Sequence, residues 1–99
     1  MANFVVETYV PQGDQERFAA DVDGLRAAAE VIVVVDGRVH HVRSYLVPGD
    51  EMGFHVVEAD SAADVVRLAK LAGIEVERIA EAIDIGPGRS PDDRSDGAR

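Results

Sequence analysis

Apolar and polar residues alternate in four short stretches of the chain, and this period of two predicts β-strands. The predicted strands cover residues 4–10, 39–47, 54–59 and 78–85. Pro11 bounds the first strand, and the turn-forming residues 48–51 separate the second strand from the third.

Two other stretches repeat their apolar residues at the period of an α-helix. The first begins after Gly13 and Asp14, and its apolar stripe comprises Phe18, Val22, Leu25 and Ala29. The second opens at Ser61, which forms a near capping box with Asp64, and it ends at Gly73.

The aliphatic run at residues 31–35 fits either a helix or a strand. Five consecutive β-branched residues followed by Asp36 and Gly37 are typical of a strand entering a hairpin turn. The helical stripe, however, continues through Ile32 and Val33. We therefore predict one long helix that ends near Asp36, with Gly37 just past its end. A strand is the alternative.

The resulting order is strand, helix, strand, strand, helix, strand. Two βαβ halves of this kind predict an α+β fold, the ferredoxin-like βαββαβ sandwich, in which two helices cover one face of a four-stranded antiparallel sheet. This domain is predicted to span residues 1–85. Residues 86–99 have no large apolar side chain and are rich in Gly, Pro, Ser and Asp, which predicts a disordered C-terminal tail.

The alternation also assigns a face to each strand residue. The helix-covered face is predicted to carry Phe4, Val6, Val10, Val42, Leu46, Phe54 and Val56, with Ser44 as a small filler. The opposite face is predicted to carry Val5, Glu7, Tyr9, His41, Arg43, Tyr45, His55 and Val57. Two tyrosines and two valines make a poor solvent surface, so we expect a homodimer of the dimeric α+β-barrel type, packed through this face.

A cavity between the two sheets is the predicted binding site. Its ligand-binding residues would be Glu7, Tyr9, Arg43, Tyr45 and His55. Metal ligands would be Glu7, His41 and His55. If Tyr45 pairs with His55, His41 lies about 13 Å away along the strand, so a metal site would need the symmetry mates of a dimer. Ser44 is predicted on the other face from both histidines, which argues against a catalytic triad.

Composition narrows the classes of partner. The chain has 10 basic and 19 acidic residues, a net charge of -9, so we expect no direct nucleic-acid binding. No apolar run approaches the length of a bilayer crossing and the start does not look like a signal peptide, so we expect no membrane partner and a cytoplasmic location. Without cysteine there are no disulfides or thiolate sites, and a metal would need His, Asp or Glu.

Four segments together resemble a family of small, uncharacterised bacterial domains, labelled a domain of unknown function or nickel-binding, ferredoxin-like proteins. The segments are FVVET at 4–8, VRSYLVPGDE at 42–51, FHVVEADS at 54–61 and AGIEVERIAEAIDI at 72–85. The resemblance covers nearly all of residues 1–85 and depends on the whole spaced pattern. It implies a ferredoxin-like fold, a homodimer and nickel or another divalent metal as cofactor, and it implies no established reaction.

Three functions fit these features. The first is a non-catalytic dimeric module that binds a small ligand or a divalent metal between its sheets. The second is a cofactor-independent enzyme of dimeric α+β-barrel type, monooxygenase- or isomerase-like. In that enzyme, His41 or His55 would act as the base, and Arg43 with Tyr45 would polarise a carbonyl. The third is a structural or regulatory partner recognised through its acidic surface or tail.

Overall fold

The computed structural model of the protein describes residues 1–35, 38–83 and 85, and it confirms the predicted α+β fold. One antiparallel sheet has the strand order β2-β3-β1-β4, and two helices complete the ferredoxin-like arrangement. The elements are β1 (Ala2–Tyr9), α1 (Gln15–Val35), β2 (Val39–Val47), a short 3-10 helix (Pro48–Asp50), β3 (Met52–Ala59), α2 (Ala62–Ala72) and β4 (Arg78–Ala82).

The long first helix is confirmed. The aliphatic run at 31–35 continues α1 because its stripe stays in phase with the rest of the helix. Leu25, Ala28 and Ile32 are all buried in the core. Residues 36 and 37, where a glycine was predicted to follow the helix end, and the predicted tail at 86–99 lie outside the described residues.

The second helix is capped as the sequence predicts. The Ser61 hydroxyl accepts a hydrogen bond from the Asp64 backbone N–H at 3.3 Å. Gly73 takes the left-handed conformation, with φ of 75°, that ends the helix. Val65, Leu68 and Ala69 are buried, so α2 turns its apolar stripe to the core.

The core lies between the helices and one face of the sheet. Its strand residues include Phe4, Val6, Val39, Val57 and Ala59, which contact buried residues of both helices. In the part of the chain that the structure describes, no helix has both the length and the apolar character needed to cross a membrane.

The predicted faces of β3 are wrong. His55 and Val57 are fully buried beneath the helices, whereas Phe54 and Val56 are half-buried on the other side of the sheet. Register explains the assignment, because His55 pairs with core residue Val6. Residues directly opposite in an antiparallel pair share a face. The helix side of β3 thus carries Gly53, His55, Val57 and Ala59.

A β-bulge on β2 corrects the placement of two further residues. His41 pairs with Val57, but Arg43 pairs with the next residue back, Val56, so Val42 is the extra residue. The bulge puts His41 on the helix side together with Ser44, although simple alternation separates them. Val42, predicted in the core, is 41% exposed. Beyond the bulge, Ser44 and Leu46 face the helices, and Arg43 and Tyr45 face away, as predicted.

Candidate functional site

Two histidines and a serine form a hydrogen-bonded chain between the sheet and α1. The Ser44 Oγ lies 2.8 Å from Nε2 of His41 and 2.7 Å from Nδ1 of His55. Arg26 on α1 donates from Nε to Nδ1 of His41 at 3.4 Å. We call these four residues the histidine chain. It exists because the bulge at Val42 and the register of β3 bring all three strand residues to one side of the sheet.

The arginine fixes the direction of every hydrogen bond in the chain. Arg26 can only donate, so Nδ1 of neutral His41 accepts and its Nε2–H donates to Ser44. The Ser44 hydroxyl proton then points to Nδ1 of His55, which leaves the His55 proton on Nε2. That nitrogen is buried and has no hydrogen-bond partner among the described residues. The chain therefore ends on an unsatisfied donor.

Burial keeps both histidines neutral. Desolvation, with the neighbouring His41 second, lowers the pKa of His55 to about 4. The His55 ring stacks on Phe18 with a centroid separation of 4.9 Å, so one of its faces is covered by hydrocarbon. Desolvation, with the charge of Arg26 second, also lowers the pKa of His41. At neutral pH the histidine chain carries no charge other than that of Arg26.

Of the two ends of the histidine chain, the Arg26 end approaches solvent. Two adjoining depressions of about 650 and 470 Å³ lie between α1 and β2, and Arg26, His41 and Val42 line both of them. We call this region the α1–β2 cleft. Ser44 and Phe18 line its smaller part, whereas His55 lines neither part. A ligand entering the cleft would meet Arg26 and His41 first.

The other side of the sheet, which we call the open sheet face, carries four of the five predicted ligand-binding residues. Strand pairing arranges them in rows that cross β1, β3 and β2. The rows are Val5–Val56–Arg43, Glu7–Phe54–Tyr45 and Tyr9–Met52–Val47. Glu7 also forms an ion pair with Arg78 of β4 at 3.7 Å, and Arg43 donates to the Tyr45 hydroxyl at 3.4 Å.

The predicted common pocket is therefore wrong for the histidines. His55 and His41 lie on the helix side, whereas Glu7, Tyr9, Arg43 and Tyr45 remain on the open sheet face. The proposed metal ligands Glu7, His41 and His55 are divided by the sheet. Within residues 1–35, 38–83 and 85, no group of three or more His, Asp or Glu side chains is placed to hold a metal ion. The predicted 13 Å separation of His41 and His55 is also wrong, since their ring centroids are 6.5 Å apart.

Sequence reasoning missed Arg26 and Phe18 and set Ser44 aside. The sequence does contain a signal for the correct face of β3. Gly53 and Ala59 lie on the same face of the strand as His55, and small residues let a helix approach a sheet closely. Placing Phe54 and Val56 on the helix-covered face also places Glu58 there, and glutamate is almost never buried without a partner. Nothing in the sequence marks the bulge at Val42.

Comparison with known proteins agrees with the fold and adds no function. The sequence matches no family model and no curated protein at a significant level. Its structure is similar to the crystal structure of SCO4226 from Streptomyces coelicolor A3(2), with a TM-score of 0.67 and 21% sequence identity. The match covers 82% of this chain and 95% of that chain. Similarity at this level of identity supports a shared ferredoxin-like fold.

Proposed function

We propose that the protein is a homodimeric binding protein whose protomers pack through their open sheet faces and enclose a small ligand between them. The observation that carries this proposal is the amount of apolar surface left uncovered on that face. Tyr9 is 51% exposed and Tyr45 is 49% exposed, with half-buried Phe54 beside Tyr45 and half-buried Val5 and Val56 in the next row. Contiguous apolar surface of this kind is typical of a protein interface.

The charge of the open sheet face supports a second copy of the chain as its partner. Glu7 and Glu58 are balanced there by Arg43 and Arg78, although the whole chain has a net charge of -9. Two copies can therefore approach through this neutral face while their acidic surfaces point away from each other.

The same face offers a place for a ligand. A shallow groove of about 220 Å³ crosses all four strands and is lined mainly by Val5, Val42, Val56 and Ala82. In a two-fold dimer, two such grooves would face each other. Glu7, Arg43 and Tyr45 would then be the polar groups available to orient a small molecule within an apolar pocket.

Nickel or another divalent metal is the narrower form of this proposal. It rests on the family resemblance and on the affinity of imidazole and carboxylate for such ions. With His41 and His55 beneath the helices, Glu7 and its symmetry mate are the predicted ligands that remain for a metal between the sheets.

Native mass spectrometry of the untagged protein, before and after addition of nickel and zinc, tests the proposal. We expect a dimer that carries either a co-purified small molecule or a stoichiometric metal. A dimer that carries no small molecule and binds neither nickel nor zinc would overturn the ligand-binding part of the proposal. A monomer at about 50 µM, well above the Kd of a stable interface, would overturn the dimer.

A pair of variants links the dimer to the open sheet face. Tyr45→Lys replaces a large exposed aromatic side chain beside Phe54 with a charged one, so we expect it to give monomers. Leu71→Lys changes a residue of similar exposure, 53%, on α2 and away from that face, so it should remain dimeric. If both variants dimerise equally, the interface lies elsewhere.

One observation favours a second candidate function, a cofactor-independent general-base enzyme. His41 is kept neutral and is oriented by a hydrogen bond at each ring nitrogen, as a positioned base requires. Arg43 borders the same cleft, but its guanidinium donates to the Tyr45 hydroxyl on the open sheet face, so neither group polarises a carbonyl beside His41. The test is exchange of carbon-bound protons of small keto acids in D₂O, followed by NMR. If the wild-type protein exchanges these protons no faster than a His41→Ala, His55→Ala double variant does, this candidate function is excluded.

A further inference from the structure

Arg26 differs from most arginines in the described part of the chain because it has no acidic partner. Four of those six arginines pair with a carboxylate: Arg17 with Asp14, Arg38 with Asp60, Arg67 with Asp64 and Arg78 with Glu7. Arg43 contacts the Tyr45 hydroxyl, and Arg26 donates to the neutral ring of His41. In a chain with nearly twice as many acidic as basic residues, an arginine that lines a cleft and forms no ion pair with a described residue is a ready anion partner.

Part of the wall around Arg26 is apolar, although Asp23 lines the same depression. On one side of the smaller depression lie Phe18, Ala19 and Val22 of α1, and Val42 of the bulge lies opposite. Its volume of about 470 Å³ is in the range of small-molecule sites. The smaller depression thus offers the Arg26 guanidinium to an anionic group and a hydrocarbon surface to an apolar body, beside the acidic side chain of Asp23.

His41 supplies a second polar contact. Its Nδ1 accepts from Arg26 over a long 3.4 Å contact that is readily exchanged for a stronger partner. A carboxylate can take the guanidinium for itself. It can then also accept a hydrogen bond from Nδ1 of His41 once this nitrogen is protonated.

We propose that the α1–β2 cleft binds a small organic carboxylate, with its anionic group on Arg26 and His41 and its apolar body against Phe18, Val22 and Val42. This site lies on the helix side of the sheet, opposite the ligand pocket proposed between the protomers, and of the residues named for either site only Val42 of the bulge borders both. It does not require the dimer.

Binding to this site is coupled to proton uptake. The carboxylate favours protonated His41, so the pKa of His41 is higher in the complex than in the free protein, and affinity rises as the pH falls from about 7.5 to 5.5. Several titratable or charged groups face His41 from the elements around it. They are Asp23, Arg26 and Glu30 of α1, His40 and Arg43 of β2, and His55 of β3.

NMR titration of the full chain with hexanoate tests the proposal. We expect saturable shifts of the Arg26 Nε–H and His41 ring signals, and tighter binding at pH 5.5 than at pH 7.5. Hexanamide has the same apolar body without the charge, so it should bind at least about tenfold more weakly, the scale of one charge-assisted hydrogen bond. Inorganic phosphate tests a bare anion and should also bind more weakly than hexanoate.

Matched variants assign the effect to the two residues. Arg26→Gln should weaken hexanoate binding at least about tenfold, whereas Arg17→Gln, on the same helix but paired with Asp14, should not. His41→Gln should remove the pH dependence. The proposal is overturned if hexanoate gives no saturable shifts, if Arg26→Gln binds like wild type, or if hexanamide or phosphate binds as well as hexanoate.

A final arm separates this site from the proposed dimer. Tyr45→Lys should bind hexanoate with wild-type affinity even where it is monomeric, because the cleft lies on the opposite side of the sheet. Loss of binding in that variant would place the carboxylate between the protomers instead of in the cleft, and would overturn the proposal.

Discussion

His55 combines complete burial with an unsatisfied polar atom. Its ring is stacked on Phe18, its Nδ1 accepts from Ser44, and its Nε2 has no partner among the described residues. A charged imidazolium at this position would lose its hydration and gain no carboxylate in exchange, so the neutral ring is strongly favoured. The free energy of unfolding of the domain should therefore depend on pH through His55.

Below neutral pH, His55 should make the fold progressively less stable. Its pKa is about 4 in the folded protein, against a reference value of 6.5. Between these values the unfolded chain binds more protons, so the free energy of unfolding falls as the pH falls from about 6.5 to about 4. His55 contributes at most about 1.4 kcal/mol per pH unit to this slope. Urea unfolding at several pH values measures it.

Two variants isolate the contribution of His55. His55→Gln should flatten the slope, whatever its effect on stability at neutral pH, because the titrating group is gone. His40→Gln, which replaces an exposed histidine on the neighbouring strand, is the matched control variant. Equal slopes for wild type and His55→Gln would show that His55 does not carry the effect.

At the scale of elements, α1 packs tightly on the sheet at Gly53, through the Phe18 ring. A Cβ atom at Gly53 would collide with the Phe18 ring and would lie 2.9 Å from the Thr8 Oγ1. The ring that covers Gly53 also stacks on His55, two residues further along β3. Glycine is therefore required here by space, and it sets the distance between α1 and the histidine chain.

Gly53→Ala should destabilise the protein by about 1–3 kcal/mol, as expected for overpacking of a core contact. The measurement is urea or thermal unfolding. Gly49→Ala is the matched control, because a Cβ there meets nothing within 4 Å. Phe18→Leu should recover part of the loss when combined with Gly53→Ala, since the two residues share one contact. If Gly53→Ala costs no more than Gly49→Ala, the close approach is not a constraint.

The elements themselves were largely predictable from sequence, because they depend on local patterns. The Ser61 cap and the terminal Gly73 of α2 are local signals, and the helical phase of Ile32 correctly extended α1. The faces of β2 and β3 were not predictable in the same way. The local pattern of β3 allows either Phe54 or His55 to face the helices. The bulge at Val42 depends on pairing with a strand distant in sequence. The candidate site is built on that pairing, so most of it was missed.

At the scale of the whole molecule, net charge and the open sheet face act in opposite directions. Each chain has a net charge of -9, which makes two protomers repel, whereas the charges on the face proposed to join them sum to zero. The ion pair between Arg78 and Glu7 lies within one chain, so it does not attract a partner. Dimer strength should then depend on how well solvent screens the remaining acidic surface.

Salt should therefore tighten the proposed homodimer. Raising NaCl from about 20 to about 500 mM shortens the range of repulsion from roughly 20 Å to a few ångströms and leaves apolar burial in place. Analytical ultracentrifugation at the two salt concentrations should give a lower dimer Kd at high salt. The double variant Glu16→Gln, Glu30→Gln removes two exposed charges from α1 and should reduce the salt effect without changing its sign. A Kd that rises with salt would mean that ion pairs between protomers hold the dimer, and a neutral apolar interface would then be the wrong description.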